Sequence, residues 1–214
     1  MPKNILFFSL IIFFILFLLI PSNYCEAKDW QPIEKSYGEN KPETEKILVA
    51  YATRTGSTAE VADAIGKKLA EGGAVVDVKP VEKVQSIKGY KSVVLGSAVR
   101  AGNLLPEMTN FVHNHKDELR KTQVAYFVVC MILRENTPEN QAKANSYLDS
   151  LREEVKPVDT AAFTGKMDYS RLMFFEKLVI KYIIKVPECD LRDWQQINNW
   201  AANLLPRLTN IKKE

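Results

Sequence analysis

The sequence is short of the features that mark several common functional classes. Cysteine is scarce: Cys25, Cys130 and Cys189 are the three, and none sits in a CxxC or a His/Cys metal-ligand spacing. They read as small buried hydrophobes. Histidine is scarcer still. His113 and His115 lie two apart in one helical stretch, face different ways, and read as surface residues rather than a catalytic pair. An excess of one charge is also missing, since 29 Lys and Arg against 26 Asp and Glu leave +3. Nucleic acid is therefore not an expected partner, because that role needs a basic stripe. There is no GxxxxGK[ST], which argues against nucleoside triphosphate hydrolysis, and no GxGxxG dinucleotide fingerprint.

Long apolar runs are few, and one stands apart. Ile5 to Ile20 is sixteen residues broken only by Ser9, preceded by Lys3 and ended by Pro21, and it holds Phe7, Phe8, Phe13, Phe14 and Phe17. As a helix it would span roughly 24 Å, short of a roughly 30 Å hydrocarbon core. A cleaved export signal, with Cys25 and Ala27 as an imperfect cleavage site, and an uncleaved anchor are the two leading readings. A core helix is disfavoured because no polar face exists to meet water. Residues 1–27 are thus expected to export the chain or anchor it in a membrane, on a side the sequence leaves undecided. Residues 28–45 are polar, contain Pro32, Gly38 and Pro42, and read as a linker.

From residue 46 to residue 208 the pattern is that of one domain. Ile47 to Ala52 is a short apolar run, as expected of a strand buried on both faces. Val61, Ile65 and Leu69 follow at helical spacing and Gly72-Gly73 supplies a stop. Ala74 to Val78, Ser92 to Leu95, Val124 to Cys130 and Thr160 to Phe163 are further strands, separated by helical patterns that include Met108 to Leu119 and Ala144 to Leu151. Trp194, Ile197, Trp200, Ala201 and Leu204 close the chain on an amphipathic helix. This alternation predicts an α/β fold, a doubly wound five-stranded parallel sheet with helices on both faces. Such sheets take ligands at the carboxyl ends of their strands.

The first strand runs straight into Thr53-Arg54-Thr55-Gly56-Ser57-Thr58, where a helix begins. Four hydroxyls at a strand-to-helix turn can converge on one anion, Gly56 lets the backbone approach it, and the first helical amides point the same way. A plain helix cap is the competing reading, but a cap needs only one hydroxyl.

This Thr-x-Thr-Gly-x-Thr resembles the phosphate loop of flavodoxins, and the similarity extends over most of Lys46 to Leu208. It is marked for the flavodoxin-like menaquinone-dependent protoporphyrinogen oxidases. Gly96-Ser97-Ala98-Val99-Arg100-Ala101-Gly102 resembles their loop after the third strand. Phe174 to Lys181 resembles their late insert, and Asp193 to Gln196 through Trp200-Ala201 their last helix. The resemblance implies strand order 2-1-3-4-5 and FMN lying across three loops: Thr53 to Thr58, Ser97 to Asn103, and Met131, Ile132, Leu133 and Arg134. It also implies an oxidoreductase whose redox partner is a quinone. A flavodoxin-type electron shuttle with no substrate of its own is the alternative. The last two loops lack the aromatics that usually enclose the ring, and Ala101 stands where the oxidases often show one.

Arg100 and Arg134 lie in those loops. Near the ring they would favour added negative charge, or hold an acidic small-molecule substrate; as solvated residues they would do neither. The segment from Leu172 to Val186 is rich in Phe, Leu, Ile and Val and fringed by Lys177, Lys181 and Lys185. It reads as an amphipathic helix that either lies on a membrane or packs its apolar side on the domain.

Overall fold

The structure is a computed structural model that describes residues 31–38, 46–172, 174–184 and 187–209. Each buried apolar run becomes a strand. β1 (Lys35–Tyr37), β2 (Lys46–Ala52), β3 (Val75–Pro80), β4 (Ser92–Arg100), β6 (Gln123–Cys130) and β7 (Asp159–Thr164) lie in the order β1-β3-β2-β4-β6-β7. The short β5 (Asn103–Leu104) pairs with β4 alone. Every neighbour from β3 across to β7 is parallel. Those five strands, numbered along the chain, give 2-1-3-4-5, the order expected. The chain reverses its direction of winding between β2 and β4, so the loops after them flank a crevice.

Side-chain alternation along the strands divides the core in two. Ile47, Val49 and Tyr51 of β2 point to one face and pack under α1 (Ser57–Glu71) and α6 (Trp194–Thr209). Leu48, Ala50 and Ala52 point to the other, under α2 (Pro106–Leu119) and α4 (Asp149–Glu154). Ile47 to Ala52 all have 0% exposure, which is why the run is continuously apolar rather than alternating. The single helix expected around Ala144 to Leu151 is broken into α3 (Pro138–Ser146) and α4.

The linker reading of residues 28–45 needs revision. Within it, β1 pairs antiparallel with β3, with Ser36 opposite Asp77. The Tyr51 hydroxyl donates to the Ile33 carbonyl at 2.8 Å and accepts from the Ile33 N–H at 2.7 Å. Tyr37 and Lys35 both reach Asp63 on α1, at 2.6 and 2.8 Å. A three-residue polar edge strand carries no apolar period, so it left no signal in the sequence.

The expectation of a chain exported or membrane-anchored through residues 1–27 is corrected. No helix among the described residues is long and apolar enough to cross a membrane, and residues 1–30 lie outside the described residues. After β7, β8 (Lys166–Met167) and β9 (Cys189–Asp190) form a separate antiparallel ribbon. It brackets α5 (Phe174–Leu178) and a π-helical turn, Val179–Ile184. Leu178, Tyr182 and Ile183 of this excursion are exposed, so its apolar side is not fully packed on the domain.

Candidate functional site

β2 ends at Ala52, and after four intervening residues the chain enters α1 at Ser57. Gly56 makes the turn at φ +85°, a left-handed conformation costing an L side chain roughly 1–2 kcal/mol. Its N–H donates to Thr53 Oγ1 at 3.1 Å, closing the loop on itself. The N-cap residue of α1 is Gly56, which has no side chain to cap the helix, and beyond the Gly56 N–H no amide of the first turn donates to a hydroxyl of the loop. Thr58, in the first turn, has 0% exposure, and its Oγ1 has no hydrogen-bond partner. Ser57 Oγ accepts the Lys166 N–H at 3.1 Å, which leaves its own proton to donate. Thr55 is half-buried. An uncapped helix start with a buried, unpartnered hydroxyl fits a phosphate group. Arg54 is drawn away, donating to Glu107 of α2 at 2.6 Å.

The stretch Ser97 to Asn103 is less of a loop than expected. β4 continues to Arg100, then Ala101 (φ 49°) and Gly102 (φ 79°) form a two-residue turn into β5, with Arg100 opposite Asn103. Positive φ at both central positions matches the twist of the strands they join. The Ser97 hydroxyl is spent internally, donating to the Ala98 carbonyl at 2.8 Å and accepting the Leu105 N–H at 3.2 Å. Ala98 and Val99 pack toward the α2 side of the core. Asn103 donates to the Ala101 carbonyl at 3.1 Å. Arg100 is ion-paired with Glu176 of α5, so the late segment reaches back to the end of β4.

Met131–Arg134 is one 3₁₀ turn after β6. Leu133 is buried against Cys130 and Ala144, with Ile132 packed beside it, so Leu133 faces the interior rather than a ligand. Arg134 is exposed, its guanidinium 3.7 Å from Glu135. Burial pushes the Cys130 thiol up to about 11, which makes it an inert hydrophobe. The three segments stand at the carboxyl ends of β2, β4 and β6, which are adjacent in the sheet. A cavity of about 430 Å³ opens beside the hairpin, lined by Gly102, Asn103, Thr109, Lys143 and Tyr147 among others.

A fourth segment, after β7, was not anticipated. A Cβ placed on Gly165 would lie 3.5 Å from Met131 Sδ and 3.7 Å from Ser57 Oγ, so this backbone closes one side of the turn from Thr53 to Thr58. Arg171 Nη1 donates to the Thr55 carbonyl at 3.0 Å and to Glu60 Oε1 at 2.8 Å. Arg192, its side chain 4% exposed, donates to Glu60 Oε2 at 2.6 Å. Burial alone would raise the Glu60 carboxyl, but hydrogen bonds and charge from Arg192 and Arg171 outweigh it and hold it below the usual range. The histidines stand elsewhere. His113 is exposed and contacts Glu154 at 2.8 Å, whereas His115 stacks on Phe111 at 4.5 Å with its Nε2 buried and unpartnered.

A family model described as a flavodoxin domain matches residues 48–191. The chain belongs to the flavodoxin domain family. It is a flavodoxin-like oxidoreductase with FMN as its cofactor. It is similar to a protein of Escherichia coli strain K12 named protoporphyrinogen IX dehydrogenase [quinone], with 28% identity over 74% of this chain and 94% of that protein. A protein of the same name from Leishmania major is 29% identical over 73% of this chain and 71% of its own length. The crystal structure of oxidised flavodoxin 1 from Bacillus cereus superposes with a TM-score of 0.51 at 14% identity, covering 77% of this chain and all of that one (100%), which shows the shared fold.

Proposed function

We propose that this flavodoxin-domain oxidoreductase oxidises a porphyrinogen-class substrate and delivers the electrons to a quinone. Residues 46–208 are the working domain in this reading, with β1 bracing its edge. The phosphate of FMN is held by Thr53, Thr55, Ser57, Thr58 and the first amides of α1, across the turn made by Gly56. The observation that carries this placement is the start of α1, where the N-cap is Gly56 and the fully buried Thr58 hydroxyl has no hydrogen-bond partner. A phosphate monoester carries nearly two negative charges and suits several neutral donors at the positive end of a helix. Bound there, FMN supplies reversible electron transfer between substrate and acceptor.

The remaining residues position and enclose. The β4–β5 hairpin and the turn at Met131 and Ile132 present backbone at the carboxyl edge of the sheet, where the ring would lie. Arg100 is ion-paired with Glu176, so its influence on the ring is tempered. Lys143 in the cavity beside the hairpin offers one cation to an acidic substrate. The excursion through α5 favours an enzyme over a bare electron shuttle. It is tied to two of the cofactor loops, by Arg100 to Glu176 and by Arg171 to Thr55. Two relatives are also named as protoporphyrinogen IX dehydrogenases that use a quinone.

The test is anaerobic turnover of protoporphyrinogen IX by the FMN-loaded full chain, with a soluble menaquinone analogue as acceptor. Porphyrin fluorescence should appear only when protein, FMN and quinone are all present. No porphyrin above the protein-free rate, with ready electron exchange to a redox protein, would sink the enzyme reading in favour of a shuttle.

A further inference from the structure

We infer that Arg171 is a positioning residue that makes the phosphate loop selective for a phosphorylated flavin. The inference rests on the placement of the phosphate at Thr53 to Thr58. Glu60 sits in the first turn of α1, where a fixed negative charge would repel a phosphate dianion at the same helix end. The Thr55 carbonyl, one residue before Gly56, presents a second negative end to the same space. Arg171 answers both with one guanidinium nitrogen, 3.0 Å from the carbonyl and 2.8 Å from Glu60.

The geometry works through the peptide between Thr55 and Gly56. Its carbonyl is held by Arg171 and its N–H by Thr53 Oγ1 at 3.1 Å. Clamped at both ends, the peptide cannot rotate its oxygen toward an anion. The charges balance as well. Arg171 and Arg192 meet Glu60, Arg192 also meets Asp190, and Asp168 lies between Lys166 at 2.9 Å and Arg171 at 3.6 Å. Three cations face three anions, so removing Arg171 leaves one uncompensated negative charge beside the phosphate. The Arg192 guanidinium lies 4.5 Å over the Trp194 ring, which fixes its side of the clamp.

The experiment titrates full-length apoprotein with FMN and with riboflavin, following flavin fluorescence, for wild type, R171Q, E60Q and the double variant. R171Q should lose about tenfold in FMN affinity and leave riboflavin binding unchanged. E60Q should tighten FMN by about threefold, and the double variant should recover most of the R171Q loss. A merely structural arginine would weaken both ligands alike and would not be rescued by E60Q. Equal loss for the two flavins, or no loss, overturns the inference. Should R171Q fail to fold, E60Q decides alone: tighter FMN supports the inference, and unchanged or weaker FMN overturns it. A wild-type protein that binds FMN and riboflavin equally would remove the phosphate-loop placement itself, a separate failure.

Discussion

Thr58→Val separates a ligand-binding hydroxyl from a structural one. Thr58 is fully buried and its Oγ1 has no partner in the protein. A buried hydroxyl left without a hydrogen bond costs about 1–3 kcal/mol, and valine fills the same volume without it. Both residues are β-branched, so the helix preference of the position barely changes. The flavin-free protein should therefore gain about 1 kcal/mol, an increase in Tm of about 2–4 °C for a chain of this size. FMN binding should move the other way. A hydrogen bond to a charged phosphate is worth about 1.5–3 kcal/mol, so affinity should fall by about 10- to 150-fold. Thermal melts of the apoprotein and fluorescence titration with FMN give the two numbers on one sample. A variant whose apoprotein is destabilised by more than about 1 kcal/mol while FMN affinity is unchanged would refute the reasoning. The hydroxyl would then belong to the core and not to the cofactor.

Three further outcomes follow from the fold. Gly96→Ala would put a Cβ 1.9 Å from Phe127 Cζ, in a core where Phe163 and Trp200 leave that ring little room, and should cost about 3 kcal/mol in urea unfolding. Ala101→Asn, at φ 49° in the β4–β5 turn, should raise stability by about 1 kcal/mol, because Asn tolerates the left-handed conformation that Ala resists. Acid should weaken the fold. The Ser170 hydroxyl and the Lys166 ammonium hold Asp168 at about 2, and hydrogen bonds to Tyr90, Ser36 and Lys46 outweigh the burial of Asp77 to depress it too. Carboxyls depressed in the folded state stabilise it above their unfolded pKa of about 4, and that stabilisation drains away as pH falls toward about 2. Denaturant midpoints at pH 7, 4 and 2.5 should show a steep drop only below about pH 4, and a flat profile would contradict the ion-pair network.

The parallel core was legible because a strand buried on both faces must be apolar throughout, as Ile47 to Ala52 is, and because helices on either side need their own 3.6-residue period. The strand-to-helix junction at Thr53 to Thr58 was legible because hydroxyls and Gly56 crowd the point where the first apolar strand ends. β1 was not, since Lys35, Ser36 and Tyr37 earn their place through pairing with β3 and through Asp77 and Asp63, distant partners that no local pattern announces. Arg171 and Arg192 were missed for a related reason. Arg171 ends a short 3₁₀ turn and Arg192 lies in irregular chain, 111 and 132 positions from Glu60, and only the return of the late segment brings them to it. Leu133 was named through the resemblance of its loop alone, and no local pattern announced that its side chain is buried with Cys130 and Ala144.

The most direct test of the phosphate placement compares FMN with riboflavin on the wild type and on Thr55→Val combined with Ser57→Ala. Each lost hydroxyl–phosphate bond is worth about 1.5–3 kcal/mol, so FMN affinity should fall by about 10²- to 10⁴-fold while riboflavin binding changes by less than about threefold. Equal weakening of both flavins, or an unchanged FMN affinity, would place the phosphate elsewhere on the protein.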